Sequence, residues 1–197
     1  MTRPRMNVSS PSFHRGSDLS SKREISLDDA QEIAHDFLSK TRDLYQKYLL
    51  AGSIRRKRPI VHDIDIAVIP KEKAFVSWKD KVTKRVSKIG GSVTSFGETM
   101  TNFVYRGVQV NLFICLNDDA WGVTEMWATG PKGHTIGMTI KARDRGLIIN
   151  SRGLWTRDEP ARLIKTKTER DVGRLLGWKY KLPEERGIEK KEKAFEL

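Results

Sequence analysis

Gly52-Ser53-Ile54-Arg55-Arg56, then His62-Asp63-Ile64-Asp65-Ile66-Ala67-Val68-Ile69-Pro70, is the most informative stretch of the 197-residue sequence. The β-branched apolar run 64–69, stopped by a proline, predicts a buried strand. Alternate side chains of a strand share a face, so Asp63 and Asp65 project together from its start. Two carboxylates held that close repel unless a cation sits between them. A hard divalent ion is the usual solution, and Mg²⁺ is typically held by one or two carboxylates together with substrate phosphates. Upstream, Gly52-Ser53 at a strand-to-helix turn offers backbone N–H groups and a hydroxyl to a phosphate, and Arg56 can neutralise the same group. Asp-x-Asp and Gly-Ser are each common in ordinary surface turns. In this order, with an apolar strand behind the acids, they make the apparatus of two-metal phosphoryl or nucleotidyl transfer.

The chain on either side fits an α/β (α+β) fold. Residues 45–51 read as the strand leading into Gly52. Before it, Ser26 and Asp29 form a capping-box start for a helix whose apolar face is Ala30, Ile33, Ala34, Phe37 and Leu38. Residues 1–24, rich in Ser, Pro and Arg, have too little apolar surface to offset ordering entropy and are expected to form a disordered basic arm. After Pro70, Ala74, Phe75, Trp78, Val82 and Val86 mark a second amphipathic helix ending at Gly90-Gly91. Strands at 92–96, 102–105 and 108–114 follow, separated by Gly97 and Gly107. The expectation for 25–117 is a mixed sheet with helices on one face. Composition shifts near 118. A smaller lobe, 118–183, is expected to hold helices at 119–127 and 132–145, strands at 147–150 and 154–156, and a last helix from Thr168 to Leu176. Residues 184–197 read as a frayed charged tail.

Lys and Arg number 37 against 25 Asp and Glu, a formal net charge of +12 with a pI near 9.9. That balance points to a polyanionic partner, nucleic acid ahead of an anionic membrane surface. No run approaches the ~20 apolar residues of a membrane span, and none near the start resembles a secretion signal. The single cysteine, Cys115, excludes an internal disulfide framework and a cysteine-rich zinc site, and suits an apolar core position. Lys141, Arg143, Arg145, Lys165, Lys167, Arg170 and Arg174 are spaced to offer a basic face to phosphates. A merely solvated face is the plainer reading of each one singly.

These motifs together resemble the DNA polymerase beta-type nucleotidyltransferases, family X. The resemblance covers roughly residues 28–183. It rests on Gly52-Ser53-x-Arg55-Arg56, Asp63-x-Asp65, Gln109-Val110-Asn111-Leu112-Phe113, Ala128-Thr129-Gly130-Pro131, and Leu176-Gly177-Trp178-Lys179-Tyr180 with Pro183. It implies a catalytic palm at 25–117 and a nucleotide- and duplex-gripping lobe after it. Nothing matches the family's amino-terminal lyase domain, so the expected organisation is a minimal two-lobe polymerase, monomeric and intracellular. By this likeness Asp63 and Asp65 bind both metal ions, Mg²⁺ with Mn²⁺ as the alternative. Gly52, Ser53 and Arg56 hold the incoming triphosphate of a dNTP, and Trp127, Ala128, Thr129 and Gly130 lie along its sugar and base. Where relatives often carry an aromatic, Ala128 lowers the wall beside the sugar, which makes rNTP a further candidate substrate. The implied partner is gapped or primed duplex DNA, with no membrane.

One position departs from the family. Its third catalytic and metal-binding aspartate is here Asn111, which keeps the shape but offers a neutral amide and cannot act as a base. The exchange fits an inactivated variant of a repair-type, gap-filling, template-directed DNA polymerase. Two rival readings stay open: a template-independent or small-molecule nucleotidyltransferase, and a non-catalytic DNA-binding protein derived from a polymerase.

Overall fold

The structure is a computed structural model that describes residues 23–187. The expected basic arm therefore lies outside the described residues except for its last two positions, as does the expected tail beyond Gly187. In chain order the elements are β1 (Ile25–Ser26), α1 (Leu27–Thr41), β2 (Tyr45–Leu50), α2 (Gly52–Arg55), β3 (Ile60–Val61), β4 (Asp63–Pro70), α3 (Phe75–Lys88), β5 (Ser92–Phe96), β6 (Met100–Tyr105) and β7 (Val108–Ile114). Then follow α4 (Trp121–Thr129), α5 (Lys132–Asp144), β8 (Leu147–Asn150), β9 (Gly153–Thr156), β10 (Leu163–Ile164) and α6 (Glu169–Leu175). The architecture is the mixed α/β one expected.

Ser26 Oγ caps α1 by accepting from the Asp29 N–H at 3.1 Å, and the Ser26 hydroxyl donates to the Asp29 carboxylate in return at 2.8 Å. Apolar residues at helical spacing give α1 and α3 one buried stripe each. Phe37, Leu38, Trp78, Val82 and Val86 from those stripes share a core with Ile64, Ile66, Val68, Val110 and Leu112 of the sheet. The sheet runs β2-β4-β7-β6-β5. Only β4 and β7 are parallel, and every other neighbouring pair is antiparallel. The crossover from β4 to β7 carries α3 and the β5–β6 hairpin, which is why these two strands can lie side by side in parallel.

The second lobe has its own core of Val123, Met126, Met138, Ala142, Ile149, Leu154, Val172 and Leu176. A two-stranded element was expected there. The sheet has a third strand, β10, pairing Leu163 with Trp155 and Ile164 with Leu154. Two-residue strands such as β10, β1 and β3 leave no readable period, because burial and pairing are supplied by partners distant in sequence. Thr168 caps α6 in a reciprocal box with Asp171. Between the lobes, Ala51, Ala67, Ile69, Cys115, Trp121 and Ala128 form a small apolar seam. The chain just past Pro183 is not frayed: Pro183–Glu185 form a 3-10 turn and Arg186 is buried. No helix among the described residues is long and apolar enough to cross a membrane.

Candidate active site

Strand β4 has two faces with different fates. Ile64, Ile66 and Val68 enter the α1/α3 core, whereas Ala67 and Ile69 on the opposite face pack into the seam against Trp121 and Ala128. Asp63 and Asp65 continue that second face toward the strand's start, where they are half-buried. The parallel register places Asp63 beside Gln109 and Asp65 beside Asn111 on β7. The two acids and the asparagine are thus brought together, as the motifs predict.

Asn111 is 7% exposed, and its Nδ2 donates to Asp65 Oδ1 at 2.9 Å. Its Oδ1 accepts from Gln109 Nε2 at 2.7 Å. A directed chain of hydrogen bonds therefore runs from Gln109 through Asn111 to Asp65. Across β6, Asn102 stands opposite Asn111 in register, and its buried Oδ1 has no hydrogen-bond partner among the described residues. Gln109 and Asn102 carried no individual signal in the sequence; the register alone reveals them.

The turn before β4 closes the other side. The Ala51 N–H donates to the Asp65 carbonyl at 2.8 Å, which pins the Gly52 turn to the strand. Gly52 has φ +54°, and a Cβ placed on it would overlap Oδ2 of Asp65. Only glycine meets both demands. Ser53 Oγ accepts from Arg56 at 3.2 Å, and Arg56 also donates to the Thr129 carbonyl at the end of α4. Burial draws the Arg56 guanidinium pKa down, and the negative charge of Asp65 pushes it back up. Arg55 reaches the same helix end, donating to Thr129 Oγ1 at 2.6 Å and to Glu125 at 2.8 Å. It also pairs with the buried Glu169 at 3.4 Å.

Of the residues expected around a nucleotide, Gly52, Ser53, Arg56, Thr129 and Gly130 converge. Trp127 and Ala128 do not line the same surface with their side chains. Trp127 packs on the core of the second lobe, and Ala128 is 3% exposed within the seam. Successive helical residues point about 100° apart, so these neighbours on α4 turn into two different cores, and the helix presents its terminal backbone instead. The Gly130–Pro131 peptide is cis.

The expected basic face is divided. Lys165 and Lys167 pair with Asp119, Lys167 also with Asp118, and Arg174 with Asp171. Arg170 lies over the Tyr180 ring, and Arg145 packs against Gly177. Arg143 meets Asp144 at 3.5 Å, and Lys141 lies part-buried on the same helix, α5. Glu125, Glu169 and Arg186, missed from sequence as isolated charges, form the ionic junction beneath Thr129. Arg186 donates to Glu169 at 2.5 Å with both side chains nearly inaccessible.

The residues present suit a divalent cation: two carboxylates on one strand face and an adjacent amide whose oxygen is a competent hard ligand. Among the described residues no cluster of three or more His, Cys, Asp or Glu side chains that could hold a metal ion forms, and the third group beside the two acids is the Asn111 amide.

Comparison with known proteins bears on the fold and the second lobe. Residues 125–187 match the DNA polymerase beta thumb family. The chain is 24% identical over 148 residues to Repair DNA polymerase X of African swine fever virus from a Kenyan pig isolate, covering 73% of this chain and 83% of the relative. To the same-named protein of a South African tick isolate it is 23% identical over 169 residues, 83% of this chain and 95% of the relative. The solved structure of Leishmania infantum polymerase beta, described as a ternary P/T complex, superposes with a TM-score of 0.70 at 17% identity. That match covers 83% of this chain and 77% of the other, and shows a shared fold. The chain is thus similar over most of its length to proteins named as repair DNA polymerases, and over residues 125–187 to the polymerase beta thumb, in line with the resemblance of its motifs.

Proposed function

We propose that this chain is a template-directed, repair-type DNA polymerase of family X that adds a deoxynucleoside monophosphate to a primer 3′-hydroxyl, with chemistry attenuated at Asn111. The observation that carries the reading is the row Asp63, Asp65, Asn111 abutting the Gly52-Ser53 turn and Arg56. Asp63, Asp65 and the oxygen of Asn111 would hold two divalent cations, which when bound would supply the positive charge that phosphoryl transfer requires. Ser53 and Arg56 would bind the triphosphate and offset charge that develops on it. Thr129 and Gly130 would position the sugar and base through backbone. Asn111 keeps the shape of the family's third acid but accepts no proton from the 3′-hydroxyl. On this reading 25–117 is the palm and 118–183 the duplex-gripping lobe, which their separate cores support.

The test is extension of a labelled primer on a gapped duplex, with and without template, by the protein and by Asn111→Asp. Restoring a general base is worth about 10²–10⁴-fold, and Asn111→Asp is expected to gain at least that, only with template. Gain without template favours the template-independent reading. Duplex binding with no gain in either arm favours a DNA-binding protein.

A further inference from the structure

We propose that Gln109 is a positioning residue that holds the cation site closed, by fixing the Asn111 amide with its N–H₂ end rather than its oxygen toward Asp65. This rests on the reading of Asp63, Asp65 and Asn111 as the cation-binding row. An ionised carboxylate only accepts hydrogen bonds, so an asparagine beside Asp65 has to present Nδ2 to it. Asn111 does so at 2.9 Å, which turns its Oδ1 away from the acids and onto Gln109 Nε2 at 2.7 Å. The Nδ2 end carries hydrogens and no lone pair to give, whereas hard cations take oxygen ligands. Asn111 can serve a cation only if the amide turns over, and both hydrogen bonds break when it does.

Gln109 therefore stabilises the orientation that excludes the ion. The turned orientation has a receiver as well: Asn102, opposite Asn111 across the strand, holds a buried Oδ1 with no partner among the described residues, an acceptor suited to the displaced N–H₂. An aspartate at 111 would have oxygen at both ends and nothing to turn. The grip of Gln109 should then matter only while residue 111 is an amide.

The test uses the full chain and Mn²⁺ alone, with the unbound ion followed by electron paramagnetic resonance. Gln109→Met removes the donor without adding charge or much changing length. It is expected to tighten Mn²⁺ binding about three- to tenfold, the effect of one neutral hydrogen bond. In the Asn111→Asp background the same substitution is expected to change binding by less than about twofold. Gln109→Leu repeats the comparison with a second side chain lacking a donor. No tightening in the Asn111 protein, or equal tightening in both backgrounds, would overturn the role of Gln109. Asp65→Asn is expected to abolish Mn²⁺ binding. If binding survives that change, the cation reading of the row fails and takes this inference with it. Binding that depends on Asp65 but is indifferent to Gln109 overturns the inference alone.

Discussion

Around Asp65 each neighbour answers one demand of a carboxylate. Asn111 supplies a donor to one oxygen, and Gly52 leaves room for the other by having no side chain. The second demand is the stricter, because the Ala51–Asp65 backbone bond fixes the turn against the strand and leaves little freedom to retreat. Gly52→Ala adds a left-handed backbone penalty of about 1–2 kcal/mol to a direct overlap with Asp65. We expect a loss of at least that much stability together with weakened Mn²⁺ binding, read from urea unfolding and ion titration on the same protein. A variant as stable as the parent would mean that the turn can move off Asp65. The placement of Asp63, Asp65 and Gly52 is legible from sequence because strand alternation and a Gly-Ser turn are local facts. Gln109 and Asn102 are not, because only the register of β7 against β4 and β6 makes them neighbours of the site.

At the scale of elements, α4 shows how helical geometry redistributes a linear motif. Trp127 and Ala128 sit where the nucleotide was expected, yet Trp127 packs half-buried on the second-lobe core and Ala128 lies in the seam, while the backbone of Thr129 and Gly130 faces Arg56. Ala128→Phe would then crowd the seam of Ala51, Ala67 and Ile69 before it could wall off a sugar. It is expected to destabilise the fold by about 1–3 kcal/mol, measured by urea unfolding. Unchanged stability with sharper rejection of ribonucleotides would return Ala128 to the sugar. Helix α5 holds a second such case. His134 packs edge-on against Trp178 with its side chain 8% exposed and its Nε2 unpartnered by any hydrogen bond. Burial, reinforced by Arg186 and Lys181, pulls its pKa down from 6.5 to about 4. The native state thus keeps His134 neutral where the unfolded chain would take a proton. Its contribution is full above about pH 6.5 and is lost as pH falls toward about 4. Glu169, 3.8 Å away, has its carboxyl pKa raised by burial against the pull of Arg186, and it titrates with the opposite sign. Comparing melting temperatures of the protein and His134→Phe between pH 7.5 and pH 4.5, about the titration range of histidine, isolates the histidine. The variant should lose less stability across that interval, and parallel curves would remove His134 as the source.

Over the whole molecule, the two lobes are joined by buried charge as well as by the apolar seam. Arg55 from the palm turn, Glu125 from α4, Glu169 from α6 and Arg186 from beyond the last turn converge below Thr129. Arg58 also donates to the Arg186 carbonyl, so the chain near its described end is tied back to the turn that precedes β3. Removing one partner of a buried ion pair costs about 3–5 kcal/mol, and without Arg186 the buried Glu169 keeps only the longer contact with Arg55 at 3.4 Å. Arg186→Met is expected to destabilise by that amount in urea. Adding Glu169→Gln should recover part of it, since the stranded charge is then gone. Independent, additive effects of the two changes would show that Arg186 and Glu169 do not act as a pair.

Much of this protein follows from local chemistry: the capped first helix, the amphipathic α3, the apolar strand behind Asp63 and Asp65, the glycine turn, and the basic balance that points to a polyanion. These are properties of neighbouring residues, and periodicity or charge suffices to read them. The parallel register that puts Asn111 against Asp65, the two-residue strands, the division of α4 between two cores, and the burial of Glu169, His134 and Arg186 depend on contacts between segments far apart in the chain. Arg186 shows the reason most plainly. As sequence it is one more charge in a mixed run after Pro183, and its burial depends on the carboxylate of Glu169, seventeen positions earlier, and on the carbonyls of Lys181 and Gly130, to which its guanidinium donates.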